Sequence, residues 1–131
     1  MKIVTPKQMK LLEATADHNG ISYEQLMLNA GNILADEISK KTTSSDRILF
    51  LCGNGNNAGD CFVASKILLE KYSYNRITIA LLCGLPKTEL SKKMFNAMDN
   101  NISIISDYNS IKSNMQDATL ICDGIFGTGF H

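Results

Sequence analysis

The sequence predicts an α/β fold, a three-layer sandwich with a mainly parallel sheet and two helices ahead of its first strand. Three observations carry this reading. Short apolar runs, most of them closed by glycine or aspartate, alternate with stretches of helical spacing. Within those runs consecutive positions are apolar, the pattern of strands covered on both faces. A strand–helix–strand alternation, in turn, favours parallel pairing through right-handed crossovers.

Each element follows from local signals. Thr5-Pro6-Lys7-Gln8 is a helix start, with Thr5 as cap, Pro6 in the first turn and Gln8 closing a capping box. This helix is expected to reach about His18 and stop at Gly20. Ser22-Tyr23-Glu24-Gln25 repeats the capping-box signal, and Leu26, Met27, Ala30, Ile33, Leu34 and Ile38 keep helical spacing behind it. The polar Lys40–Ser45 region ends that second helix. Arg47–Cys52 is a buried strand ended by Gly53, and a helix is expected from about Asp60 to Tyr72. Arg76–Cys83 is a second strand, ended by Gly84. Thr88 starts a helix whose Leu90, Met94, Phe95 and Met98 read as core packing. Ile102–Ile105 is a third strand, Ser110–Met115 a brief helix, and Thr119–Cys122 a fourth strand followed by Asp123.

Composition narrows the function classes. The chain has 131 residues, the size of one domain, and 44% of them are apolar. Thirteen basic residues balance thirteen acidic ones, so no charge excess favours nucleic acid or an anionic membrane. No apolar run is long enough to span a bilayer, and the polar N-terminus does not read as a signal peptide. The four cysteines lack CxxC spacing, which argues against zinc and against a disulfide framework. A reducing, cytoplasmic setting fits best. Cys52, Cys83 and Cys122 fall at strand ends and read as small buried apolar residues. A redox-sensitive rim around the site is the other reading.

Two loops carry the chemistry. In the first, GNGNNAGD from Gly53 to Asp60, the residues Gly53, Gly55 and Ala58 satisfy G-x-G-x-x-[GA]. A dinucleotide site would add an acid at the end of the next strand to grip a ribose, yet that strand ends LLCG. The glycines still leave N–H groups at a helix N-terminus, where anions are stabilised. Asp60 sits where phosphate charge would go. One reading makes it a cap at the start of the helix. The other is a mixed site, with backbone N–H groups for phosphate and the amide oxygens of Asn56 or Asn57 for a hard cation. The second loop, DGIFGTGF from Asp123 to Phe130, follows the fourth strand at the same sheet edge. Asp123 there either caps a following helix or binds a cation or moves a proton.

These motifs resemble those of a known family. GNGNNAGD is similar to the G-x-G-N-N-G-G-D-G loop of the YjeF N-terminal domain family, the NAD(P)HX epimerases. DGIFGTGF resembles its D-x-x-F-G-T-G-F segment, and QLMLNAG, Gln25 to Gly31, its L-M-x-x-A-G helix. The resemblance covers essentially the whole chain as a single domain, 1–131. It implies a Rossmann-like fold and an isomerase that interconverts the R and S epimers of NADHX and NADPHX in nicotinamide cofactor repair. It implies a partner, the ADP/ATP-dependent NAD(P)HX dehydratase, which acts on the S epimer. It implies a potassium ion held by Asn57 and Asp123, and substrate contacts from Asn56, Asn57, Ala58, Gly59 and Asp60. Gly127, Thr128, Gly129 and Phe130 would contact the substrate's phosphates, and Asp123 would stand at the reacting centre. No nucleic-acid or membrane partner is implied, and homodimerisation is a further expectation.

The pattern departs from the family in places. Ala58 and Cys61 replace two glycines, and each adds bulk expected to narrow the pocket. Family domains also continue past the G-T-G-F segment, so a chain ending at His131 is expected to lack the C-terminal part. These departures support an alternative, a non-catalytic nucleotide-binding or dimerisation module of the same fold. A fragment of an ordinary NAD-dependent dehydrogenase is a third reading, opposed by the missing ribose-binding acid.

Overall fold

A computed structural model describes residues 2–4 and 21–125. In chain order its elements are β1 (Lys2–Val4), α1 (Tyr23–Lys41), β2 (Ile48–Cys52), α2 (Asn56–Glu70), β3 (Ile77–Leu81), α3 (Glu89–Asn96), β4 (Ser103–Ile105), α4 (Tyr108–Asp117) and β5 (Leu120–Gly124). The helix expected from Thr5 to His18 lies outside the described residues.

All strand pairs are parallel, in the order β1-β5-β2-β3-β4. The chain builds outward from β2 through β3 to β4, then crosses back to lay β5 on the other side of β2. That reversal opens a crevice between the ends of β2 and β5. The α/β sandwich is the expected one, with one addition. The sequence reading puts two helices before the first strand, whereas among the described residues β1 comes first, ahead of α1, at the sheet edge and paired with β5 from Lys2↔Leu120 to Val4↔Cys122. Its short run has too few positions for periodicity to register, so its place comes from the partner strand.

Side chains alternate along β2. Ile48, Phe50 and Cys52 join the large core cluster with α1, α2 and α3, while Leu49 packs with Ala80 and Ile121 on the opposite face. There Ile111 of α4 and Ala118 behind it close the third layer. Phe50 and Phe62 are fully buried, each worth about 1.5–3 kcal/mol relative to exposure. Phe95 meets Phe62 edge-on at 5.3 Å, and Met94 and Met98 join the same core, as the helical spacing predicts.

The helix starts follow the caps. Ser22 accepts from the Gln25 N–H, Thr88 from Ser91 and Asp107 from Ser110. β3 stops at Leu81, two residues short of the expected Cys83, and two further boundaries that differ from the sequence reading bear on the site. β5 runs on to Gly124, which places Asp123 inside the strand. Helix α2 begins at Asn56, four residues before Asp60, because the Gly53–Gly55 turn already completes the reversal. Asp60 therefore lies in the second turn and is not the cap.

Helix α2 is seated on α1 through two glycines. A Cβ on Gly31 would lie 2.2 Å from Val63 Cγ1, and one on Gly59 would lie 2.5 Å from Met27 Sδ. Each glycine receives the other helix's side chain, which brings the axes close. Gly31→Ala sets a helix-propensity gain of about 1 kcal/mol against an overpacking cost of about 2–3 kcal/mol, the upper part of the usual range because the new methyl meets a β-branched side chain, so a net loss of about 1–2 kcal/mol is expected. Urea denaturation measures it. Gly55→Ala, with nothing within 4 Å of the new methyl, is expected to change stability by less than about 1 kcal/mol. A Gly31→Ala midpoint at or above the parent's would contradict this packing.

Candidate active site

The first loop leaves β2 at Cys52 and turns through Gly53, Asn54 and Gly55 into α2. Gly55 is the N-cap, with φ −98° and ψ −162° and no side-chain cap bond. Gly55 thus offers the first-turn N–H groups no side-chain oxygen, and the helix dipole adds partial positive charge there. The first turn also carries no acidic residue. Asn56 is exposed and Asn57 half-buried at this opening, whereas Ala58, Gly59 and Asp60 are buried behind it.

The carboxylate that sequence reading places among the phosphate ligands is thus withdrawn by a turn of helix, at 3% exposure. A ligand's charge would meet backbone N–H groups first. The two replaced glycines are internal as well. Ala58 and Cys61 are 1% and 2% exposed, so their bulk goes into the core and does not narrow the cleft. Positive φ values occur only at Ser73 and Gly84 among the described residues, so Ala58 carries no left-handed strain.

The second loop converges on the first. Asp123 pairs in register with Leu51, and Gly124 with Cys52. Gly53 N donates to Gly124 O at 3.2 Å. A Cβ on Gly124 would lie 3.8 Å from the carbonyl oxygen of Asn57, so Asn57 reaches the residue next to Asp123. Asp123 is half-buried, and its Oδ1 accepts the Ile125 N–H at 2.9 Å. The bond fixes the carboxyl group within its own turn, so Asp123 caps no helix among the described residues. Gly127, Thr128, Gly129 and Phe130 lie outside the described residues.

A third segment, the β3–α3 connection, braces the glycine loop. Leu82 N donates to Cys52 O and Lys87 N to Asn54 O, both at 2.9 Å. Asn54 Nδ2 reaches Cys83 O at 3.5 Å. Sequence reading missed this wall, although the cap signal at Thr88 marks its end.

Beneath the loops lie three thiols. Cys52 and Cys122, on neighbouring strands, both hydrogen-bond to Cys61 of α2. Those bonds, from Cys122 first and Cys52 second, lower the Cys61 pKa to about 5 against the opposing effect of burial. The same contact, followed by burial, pushes Cys52 and Cys122 well above the ordinary thiol range. Cys52 and Cys122 are buried as the sequence predicts, whereas Cys83 is exposed on the bracing loop. Cys61 occupies the hollow left by Gly124, whose Cβ would fall 2.5 Å from its Sγ.

Comparisons with known proteins place the chain among relatives by sequence and by fold. A family model described as YjeF-related protein N-terminus matches residues 23–131. A protein of Elusimicrobium minutum named NAD(P)H-hydrate epimerase is 30% identical over 99% of this chain and 62% of its own length. A Dictyoglomus turgidum protein named bifunctional NAD(P)H-hydrate repair enzyme Nnr is 33% identical over 98% of this chain and 26% of its own. The chain thus spans less than two thirds of these relatives. The crystal structure of yeast ynu0 superposes with a TM-score of 0.73 at 22% identity, covering 100% of this chain and 59% of the yeast one; the likeness is one of fold.

The hollow under Gly124 is testable by exchange of bulk. Gly124→Ala is expected to cost about 1–3 kcal/mol by overpacking. Cys61→Gly in the same chain is expected to recover at least about 1 kcal/mol of that loss, as contacting residues couple. Equal losses with and without the Cys61 change would show that the two groups do not meet. In the native protein, a thiol reagent is expected to titrate Cys83 alone among the four cysteines, the other three reacting only in denaturant.

Proposed function

Since the chain belongs to the YjeF-related N-terminal family, we propose that it interconverts the R and S epimers of hydrated NADH and NADPH. The observation that carries the reading is the meeting of two groups at the switch point. The turns after β2 and β5 are joined by the Gly53–Gly124 bond, the first leading to a helix N-terminus with no side-chain cap and an exposed Asn56, the second following a half-buried carboxylate held by its own turn. The first suits a dinucleotide's diphosphate. The second suits proton movement at the reacting carbon.

In this reading the diphosphate lies against the N–H groups of the Asn56–Ala58 turn, with Asn56 and Asn57 as polar contacts. Asp60 and Gly59, both buried, support that turn from within. Asp123 takes the proton of the hydrated carbon's hydroxyl as the bond from that carbon to the ring nitrogen breaks, leaving an aldehyde and a nitrogen that is protonated. The nitrogen then gives up its proton and re-forms the bond on either face of the aldehyde while Asp123 returns the proton to the oxygen, so either hand results. Gly127, Thr128, Gly129 and Phe130 are proposed to complete the phosphate contacts. A potassium ion fits the donor set of Asn57 and Asp123, since both offer hard oxygen atoms. Asp123 Oδ1 already takes the Ile125 N–H, which leaves Oδ2 as its ligand atom. When bound, the ion would supply positive charge close to the ligand. The S epimer is then consumed by an ADP/ATP-dependent dehydratase, a pairing supported by the relatives named as bifunctional repair enzymes. The setting is proposed to be cytoplasmic. Among the described residues no helix is long and apolar enough to cross a membrane.

The reading is checked by giving the chain one NADHX epimer and following the other by chromatography. Asp123→Asn is expected to slow exchange by about 100- to 10,000-fold, the usual weight of one acid–base group, with thermal unfolding little changed. Exchange by Asp123→Asn at the parent rate would remove the proposed role. A parent chain that binds NADHX without exchanging it would instead be a non-catalytic nucleotide-binding module, and sedimentation would then show whether it also dimerises. Replacing potassium by tetramethylammonium is expected to weaken substrate affinity; an unchanged KM would remove the ion from the site.

A further inference from the structure

Thr88 stands 32 residues from Asn56 in sequence, yet its hydroxyl donates to Asn56 Oδ1 at 2.5 Å. The same Thr88 oxygen accepts the Ser91 N–H at 3.2 Å as the N-cap of α3. The amide end that faces Thr88 is the oxygen of Asn56, an acceptor only, so the one proton of the hydroxyl is given to it while a lone pair of the same hydroxyl oxygen serves Ser91.

We infer that Thr88 is a positioning residue for the ligand cleft, holding Asn56 so that its side chain offers N–H donors and not its carbonyl to an anionic ligand. An exposed asparagine otherwise exchanges its two amide ends freely. At this helix N-terminus the carbonyl end would repel phosphate oxygens, whereas the Nδ2 end has the same sign as the uncapped backbone N–H groups beside it. The β3–α3 connection supplies the rigidity this needs. Lys87 N, next to Thr88, donates to Asn54 O at 2.9 Å, and Asn54 Nδ2 reaches Cys83 O. The two chain segments are thereby fastened at Asn54, two residues from Asn56 and, through Lys87, one from Thr88. Thr88 touches no ligand in this account. It acts through Asn56, and it makes the β3–α3 segment part of the recognition of the diphosphate. The inference rests on the epimerase reading for its ligand, but not for the hydrogen bond itself.

Three substitutions separate the cap from the positioning role. Thr88→Ser keeps both bonds. Thr88→Gly removes the donor to Asn56 while glycine remains an acceptable N-cap. Thr88→Val removes both. Two readouts are taken on each, the order of the Asn56 side-chain NH2 by nitrogen-15 relaxation and the KM and kcat for NADHX exchange. Thr88→Gly is expected to lower the order of the Asn56 amide and raise KM about tenfold, the weight of one oriented bond to a charged group. Its kcat is expected to stay within about threefold of the parent's, the signature of lost binding. Thr88→Ser is expected to restore both readouts, and Thr88→Val to add a fall in melting temperature to the Thr88→Gly losses. An Asn56 amide as ordered in Thr88→Gly as in the parent overturns the inference. So does a Thr88→Ser chain that loses as much KM as Thr88→Gly. If the parent shows no exchange, the epimerase reading fails, while the relaxation measurement still decides whether Thr88 orients Asn56.

Discussion

The contact on which the cleft depends is the approach of Gly53 to the end of β5. Gly53 N–H donates to Gly124 O at 3.2 Å, and a Cβ on Gly53 would come within 2.6 Å of Ile125 O. Any side chain at position 53 would push the two strand ends apart. With glycine there, the turns after β2 and β5 begin in contact at the place where the sheet reverses direction. The start of α2 and Asp123 then flank one strand-end contact, Asn56 three residues beyond Gly53 and Asp123 one residue before Gly124.

The layers beneath keep this junction in place. Helix α2 carries the first-turn N–H groups, and its position is set by the exchange of Val63 and Met27 into the spaces over Gly31 and Gly59. Its second turn is anchored by Cys61, which fills the space over Gly124 and meets Cys52 and Cys122. Two glycines of the family loop have thus been replaced on the inner side of the helix, where added atoms pack, and not on the side that faces a ligand. This is why Ala58 and Cys61 are compatible with an open cleft. The β3–α3 connection completes the frame from the other side, tying its backbone to Asn54 and its first cap to Asn56.

Much of the architecture was legible because it rests on local physics. The capping box at Ser22 and the cap at Thr88 marked helix starts that the structure bears out, and the unbroken apolar runs marked strands covered on both faces. The GNGNNAGD and DGIFGTGF motifs pointed to the two loops, whose described parts meet at one edge. Less legible were features without a local signature. Lys2–Val4 became a strand only through its partner β5. Asp60 resembled a cap because acids favour helix starts, but a tight glycine turn moved the start upstream and left it in the interior. Cys83 resembled its buried counterparts until the strand ended two residues before it.

The sequence by itself determined the order of elements from Tyr23 onward, the parallel α/β class and the kind of chemistry each loop can offer, since spacing, caps and turn residues act over a few positions. Tertiary structure alone decided which residues share the cleft. Thr88 meets Asn56, Cys61 meets Gly124, and Gly53 meets Ile125 across separations that no periodicity records. Such contacts arise when a crossover sets distant strand ends side by side, and close packing then determines which of their atoms touch.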